Sequence, residues 1–227
     1  MFIDRRDAGK QICRLLEKYK NSDCVVYALP RGGVVVADEI ANFLKAPLDL
    51  ILAHKIGHPY HSEYAVAAVS ENGTIVGNTE ELASLGNAWL KKEKARQLEE
   101  IAKKRKMYLQ DQPEIPVKGK IAIIVDDGIA TGLTMLAGLK ELKERNPKRL
   151  VVAVPVSPKE TADLMLTIAD DFIAPLTPNT GHFFGSVGAY YANFDQVEDE
   201  EVIAILNKHR KAINGLDNKT NPEREFT

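Results

Sequence analysis

Several things that define whole classes of protein are scarce in this sequence. Cys13 and Cys24 are its only cysteines, too few for a disulfide framework and without metal-ligand spacing. Neither sign of charge is in excess: 227 residues carry a formal net charge of −2, which gives no global electrostatic case for nucleic acid or an anionic membrane. No apolar run approaches membrane-spanning length, and MFIDRRDAGK lacks an apolar signal core, so the expectation is a soluble cytoplasmic protein with no membrane partner. No internal repeat, helix-turn-helix or basic recognition segment is visible, and no nucleic-acid partner is expected. The length suits one large core, or one core with a small appended subdomain.

What is present is an alternation of strands and helices. After Asp4, residues Ile12, Leu15, Leu16 and Tyr19 lie at helical spacing, and Asn21-Ser22-Asp23 ends that helix. Cys24 to Leu29 reads as a buried strand, Val34 to Leu44 as a helix and Leu48 to Ala53 as a second strand, which together make a βαβ unit. Val66–Val69 and Thr74–Val76 suit a hairpin around Glu71-Asn72-Gly73. From about 80 to 110 the chain is helical and charged with both signs, an inserted segment whose Leu98, Ile101 and Tyr108 need a partner surface, either the core or a second subunit. Sheet resumes at 121–126, followed by a helix from about Thr134 to Arg145 and strands at Leu150–Val156 and Phe172–Ala174. A stretch rich in Pro, Gly and aromatics follows, about 175–197, and 211–227 reads as a polar tail after a single domain spanning 1–210.

The densest signal is IAIIVDDGIATGLTM, residues 121–135. A β-branched run of the kind buried on both faces ends in Asp126 and Asp127, at the carboxyl end where open α/β sheets bind ligands. Gly128, Ile129, Ala130, Thr131, Gly132, Leu133 and Thr134 then lead into a helix, so amides and hydroxyls converge where a phosphate binds a helix N-terminus. A Walker A loop would need Lys where Leu133 stands. A receiver domain has its acidic pair early and lacks the Thr-Gly-x-Thr loop, and a plain structural turn needs neither paired acids nor two threonines.

This hydrophobic-Asp-Asp-x-x-Ala-Thr-Gly-x-Thr order resembles the PRPP (phosphoribosyl pyrophosphate) signature of type I phosphoribosyltransferases. The resemblance implies a three-layer α/β/α core with a mainly parallel sheet that includes one antiparallel strand, a small C-terminal hood over about 175–197, and commonly a homodimer. Pro30-Arg31-Gly32-Gly33, between the first strand and its helix, stands at the position of the family's pyrophosphate loop, with Arg31 a candidate contact to pyrophosphate. Lys55-Ile56-Gly57 with Pro59 is similar to the opening of the mobile loop of adenine phosphoribosyltransferases, although His54 replaces the usual Arg. Glu63-Tyr64 resembles that loop's Glu-Tyr pair, with Ala65 in place of Gly, and makes Glu63 a candidate acid/base or base-contacting residue. His54, His58, His61 and Glu63 offer metal donors, but Gly57 and Pro59 disfavour the helix that would bring His54 and His58 together. A solvated lid is the better reading.

The resemblance thus implies that Thr131–Thr134 anchor the ribose phosphate, Asp126 and Asp127 the ribose hydroxyls, and Pro30–Gly33 with Lys55 the pyrophosphate. Mg²⁺ would arrive with PRPP, held by Asp126 and Asp127 mostly indirectly. The acceptor would be a nitrogenous base, a purine by analogy with the lid. Phe183, Phe184, Tyr190, Tyr191 and Phe194 are candidates to stack on it, each competing with an ordinary core role. Phe-Ile-Asp-Arg-x-x-Ala-Gly at 2–9 and Phe-x-x-Val-Gly-x-Tyr-Tyr near 184 resemble a bacterial branch of the same family. The alternative function is a PRPP-binding regulator of nucleotide metabolism; retention of Lys55 and Glu63 favours the enzyme.

Overall fold

The computed structural model describes residues 1–110 and 112–220, without the side chains of residues 62, 63, 180 and 213–220. Helix α1 (Arg5–Leu15) begins where the Asp4 side chain accepts from the Asp7 backbone N–H at 2.8 Å, and it buries Ala8, Ile12 and Cys13. Strand β1 (Cys24–Ala28) is buried throughout and leads into α2 (Gly32–Leu44), an apolar helix closed by Lys45 in the left-handed region. Strand β2 (Leu48–Leu50) returns parallel to β1, completing the βαβ unit that the alternation predicts.

The predicted strand over 48–53 ends early. Ala53 starts a separate strand, β3 (Ala53–His58), which pairs antiparallel with β4 (His61–Ser70), and β4 pairs in turn with β5 (Ile75–Gly77). The segment expected to be a solvated lid is therefore a hairpin, because each strand supplies the other's backbone hydrogen bonds. Helices α3 (Thr79–Leu85) and α4 (Asn87–Leu109) form the inserted segment. Ile101, Tyr108 and Leu109 of α4 are buried in the main core, so the partner surface they need is the chain's own.

Strand β6 (Ile121–Val125), α5 (Leu133–Glu144), β7 (Arg149–Ala153), α6 (Lys159–Met165) and β8 (Asp171–Ile173) complete the main body. Helix α6 is not anticipated by the sequence pattern. Helix α7 (Asp199–Thr220) continues through 211–220, where a polar tail is expected; residues 221–227 lie outside the described residues. Among the described residues no helix is long and apolar enough to cross a membrane.

The main sheet has the order β2-β1-β6-β7-β8 and is parallel throughout. The antiparallel strand expected within it lies instead in the separate sheet β3-β4-β5. One core cluster joins α1, α2 and α7 to one face of the main sheet, and another joins α5 and Met165 of α6 to the other, giving three layers. The order of strands across the sheet reverses between β1 and β6, since β1 continues to β2 on one side and β6 to β7 on the other. In register, Ala28 stands beside Val125, so the loops leaving both strands emerge side by side at this switch point.

Candidate active site

Both loops at the switch point are shaped by contact with each other. A Cβ on Gly32 would lie 1.8 Å from Asp127 Oδ2, and one on Gly33 would lie 2.9 Å from Asp126 Cα. No side chain larger than hydrogen fits there without moving the acidic pair. The peptide bond between Pro30 and Arg31 is cis, and Leu29 N–H donates to Val125 O at 2.9 Å. The Arg31 guanidinium reaches toward the start of α7, 3.7 Å from Glu198 and 3.8 Å from Asp199.

Beyond Asp127 the chain bends through Gly128 and Gly132, the latter at φ 79°, in the left-handed region. A Cβ at Gly132 would come within 2.4 Å of Met165 Cε, a flexible side-chain end that can yield, so it is the left-handed turn that selects glycine. No side chain caps α5, whose first turn donates from Leu136 N–H to Gly132 O at 2.9 Å. The amides before it have no intrahelical acceptor, which leaves a set of donors at a helix N-terminus. They face a cavity of about 160 Å³ bounded by Asp126, residues 128–132, Thr134 and Lys55. Lys55, exposed on β3, is thus brought to the loop of β6; Leu133 begins α5, and Ile129 is buried beneath the loop.

The acidic pair has a partner to which the sequence pattern assigns no role. Arg5 Nε donates to Asp127 Oδ2 at 2.8 Å, with the two side chains only 11% and 17% exposed. Arg5 also donates to Asp195 O at 2.7 Å and lies over the Phe194 ring, its guanidinium carbon 3.8 Å from the centroid. Tyr191 donates its hydroxyl to Asp127 O at 2.6 Å. The N-terminus and the hood therefore clamp Asp127 together, and Phe2 N–H to Tyr190 O at 2.8 Å ties them to each other. The signal for Arg5 is present in the motif at 2–9, but nothing in a linear spacing shows that it reaches a carboxylate 122 positions away.

Burial raises the pKa of Asp126 well above the usual carboxylate range, and the neighbouring Asp127 charge raises it further. Burial raises Asp127 as well, with the Arg5 hydrogen bond and charge opposing it. Asp127 N–H donates to Asp126 Oδ1 at 2.8 Å.

The remaining candidates separate. The side chain of Glu63 lies outside the described residues. His54 faces Gln97 Oε1 at 3.1 Å through Nδ1, and burial lowers its pKa toward the neutral imidazole. His58 stacks on His61 at 5.5 Å between centroids, and among the described residues no group of three or more His, Cys, Asp or Glu side chains could hold a metal. In the hood, Tyr190 and Tyr191 are buried: Tyr190 packs against Phe183 and Phe184, and Tyr191 against Phe2 and Phe194. Phe184 is 71% exposed.

The chain is similar in sequence and fold to known proteins. A Thermus thermophilus protein of known crystal structure, TT1426, is 39% identical and superimposes with a TM-score of 0.77, covering 92% of this chain and 98% of that one. Proteins of two Mycobacterium tuberculosis strains, provisionally named phosphoribosyl transferases, are 37% identical over 213 residues, 92% of this chain. The chain spans about half the length, 47%, of these curated relatives. Residues 5–173 match the family described as the phosphoribosyl transferase domain, and with that match and these relatives the chain belongs to the phosphoribosyltransferase family.

Proposed function

We propose that this chain transfers the phosphoribosyl group of PRPP to a nitrogenous base, with release of pyrophosphate. The observation that carries the reading is the contact of the Pro30–Gly33 loop with Asp126 and Asp127 beside an uncapped helix N-terminus. One substrate bearing a phosphate at one end and a pyrophosphate at the other requires two anion-binding loops joined at a carboxylate pair.

In this reading the free amides of the Gly128–Leu133 loop, with the Thr131 and Thr134 hydroxyls, hold the 5-phosphate. Asp126 accepts from the ribose hydroxyls, while Arg5 holds the Asp127 carboxylate and Tyr191 its backbone carbonyl. Amides of Arg31–Gly33 and the Lys55 ammonium receive the pyrophosphate. The bond from the anomeric carbon to pyrophosphate oxygen breaks, the base nitrogen bonds to that carbon, and the displaced base proton passes to an acceptor for which Glu63 is the candidate. Positive charge on the ribose in the transition state is met by the Asp126–Asp127 carboxylates.

The donor set fits a metal that arrives with its substrate: two carboxylates, one already engaged by Arg5, are too few for an all-protein cage but suit Mg²⁺ shared with phosphates. Bound there, Mg²⁺ would neutralise the leaving pyrophosphate. A purine acceptor, a homodimeric assembly and a cytoplasmic setting belong to the same proposal.

Calorimetric titration of PRPP with and without Mg²⁺ tests it, together with an Asp126→Asn/Asp127→Asn variant. Mg²⁺-dependent binding that the variant loses is expected, followed by pyrophosphate release on adding a base. No binding at millimolar PRPP overturns the reading, and binding without transfer to any base returns the regulator.

A further inference from the structure

Arg5 is enclosed by three segments of the site: the Asp126–Asp127 loop, the Pro30–Gly33 loop and the hood. Its Nε donates to Asp127 Oδ2 at 2.8 Å, its Nη1 donates to Asp195 O at 2.7 Å, and its guanidinium carbon lies 3.8 Å from the centre of the Phe194 ring. A Cβ on Gly32 would stand 2.8 Å from the same Nε, so the Pro30–Gly33 loop closes the remaining side. Neutralising Asp127 requires only a cation. The bond to Asp195 and the seat on Phe194 extend the same group into the hood.

The hood reaches the phosphate loop by a second path. The Phe194 ring covers Gly188, where a Cβ would meet Phe194 Cδ1 at 2.9 Å. The neighbouring Val187 packs on Gly128, where a Cβ would meet Val187 Cγ1 at 2.4 Å, and it also lines the phosphate-loop cavity. Residues 187–195 are therefore tied twice to one step of chain, to Asp127 through Arg5 and to Gly128 through Val187. Their backbone is tied to the N-terminus as well: Ala192 N–H donates to Phe2 O at 2.8 Å and Asn193 N–H to Ile3 O at 2.9 Å. Because a guanidinium is a rigid planar fork, a nitrogen fixed on Asp127 sets the direction of the nitrogen that holds Asp195. A ligand that restricts Asp127 thus restricts the fork, and the fork restricts residues 194 and 195.

Resting on the phosphoribosyl-transfer reading, we propose that Arg5 is a positioning residue that links the two halves of the site: PRPP held at the acidic pair orders the hood through the Arg5 fork and the Phe194 ring. Arg5 touches no reacting atom in this scheme and acts through Asp127 and Phe194.

Hydrogen exchange of the intact protein, with and without Mg²⁺-PRPP and with no base present, reads the link at the amides of residues 192–195, and calorimetry gives the PRPP affinity. In the parent, PRPP should slow exchange there about fivefold or more, the lower end of coupling between sites. Arg5→Lys keeps a cation beside Asp127 but lacks the fork, and Phe194→Leu removes the ring while leaving the bond to Asp127. Both should bind PRPP within about tenfold of the parent, a difference of about 1.4 kcal/mol, yet lose the PRPP-induced slowing. Phe184→Leu, where an exposed ring packs on Tyr190, should keep it in full. A purely structural role for Arg5 would speed exchange equally with and without PRPP and leave the ratio unchanged, which overturns the assignment. So would a parent whose amides at 192–195 do not respond to bound PRPP, or a ratio that collapses in Phe184→Leu as well. Should Arg5→Lys not fold, Phe194→Leu decides alone, since it leaves the buried ion pair in place. Failure of PRPP to bind the parent strikes the transfer reading, whereas normal binding with an unmoved ratio in the variants strikes only this link.

Discussion

Gly32→Ala tests the meeting of the two loops with a single methyl group. Its Cβ would sit 1.8 Å from Asp127 Oδ2 and 2.8 Å from Arg5 Nε, so it strikes the ion pair rather than a free side-chain end. Reaching even a 3.0 Å contact requires the carboxylate to retreat by 3.0 − 1.8 = 1.2 Å, enough to break its 2.8 Å bond from Arg5. Alanine at the first position of α2 would otherwise gain up to about 1 kcal/mol in helix propensity. Removing one partner of a buried pair costs about 3–5 kcal/mol, and displacement without deletion costs less, so a net loss of about 1–3 kcal/mol is expected. For a chain of this size that corresponds to a fall in Tm of roughly 2–12 °C. PRPP affinity should drop at least tenfold in the same variant by calorimetry. Gly181→Ala, whose Cβ meets nothing within 4 Å, is the control and should melt within about 0.5 kcal/mol of the parent. If Gly32→Ala melts like the control and binds PRPP normally, the loops do not touch as described and the steric reasoning is wrong.

Arg5→Ala should destabilise by about 3 kcal/mol in denaturant unfolding, because it leaves a largely buried Asp127 unpaired, whereas Arg5→Lys should recover part of the loss. Since the acidic pair is shifted upward and a Mg²⁺-bearing ligand favours its charged form, PRPP binding should release protons and weaken as pH falls through the raised pKa; buffers of different ionisation enthalpy measure that release, and its absence refutes the assignment. Asp38 behaves oppositely: burial pushes its pKa up, but hydrogen bonds from His209, Arg6 and Lys208 prevail and hold it low. Its contribution is present above the ordinary aspartate value of about 3.9 and lost as pH falls below it, so Asp38→Asn should flatten the acid limb of a stability-versus-pH curve. Burial lifts the Cys13 thiol to about 11 and raises Cys24 too, so neither should react with a thiol reagent until the chain is unfolded.

The elements that were legible in the sequence are those with a strong local cause. The βαβ start, the Asp126–Thr134 loop and the charged helices near 80–110 follow from apolar runs, turn residues and charge spacing, and the structure has elements there with ends shifted by a few residues. Three features needed the third dimension. The hairpin at Ala53–Ser70 is hidden because His, Lys and Gly interrupt its alternation, and its register carries irregularities at Gly57. Helix α6 is only seven residues long and carries little periodicity. Arg5 acquires its meaning from Asp127 and Phe194, neither of which is near it in the chain.

That clamp makes the site a sensor of the whole fold. Arg5, Gly32, Lys55, Asp127 and Tyr191 are spread from the first helix to the 175–197 stretch, so no fragment that omits either of these retains the full set. A ligand that needs them all binds the native chain and has no foothold on the unfolded one. PRPP at about a hundred times its dissociation constant would then add about 2.7 kcal/mol to the unfolding free energy. On the proposed reading, the melting temperature becomes a gauge of PRPP concentration, and the protein is most resistant to unfolding when PRPP is plentiful.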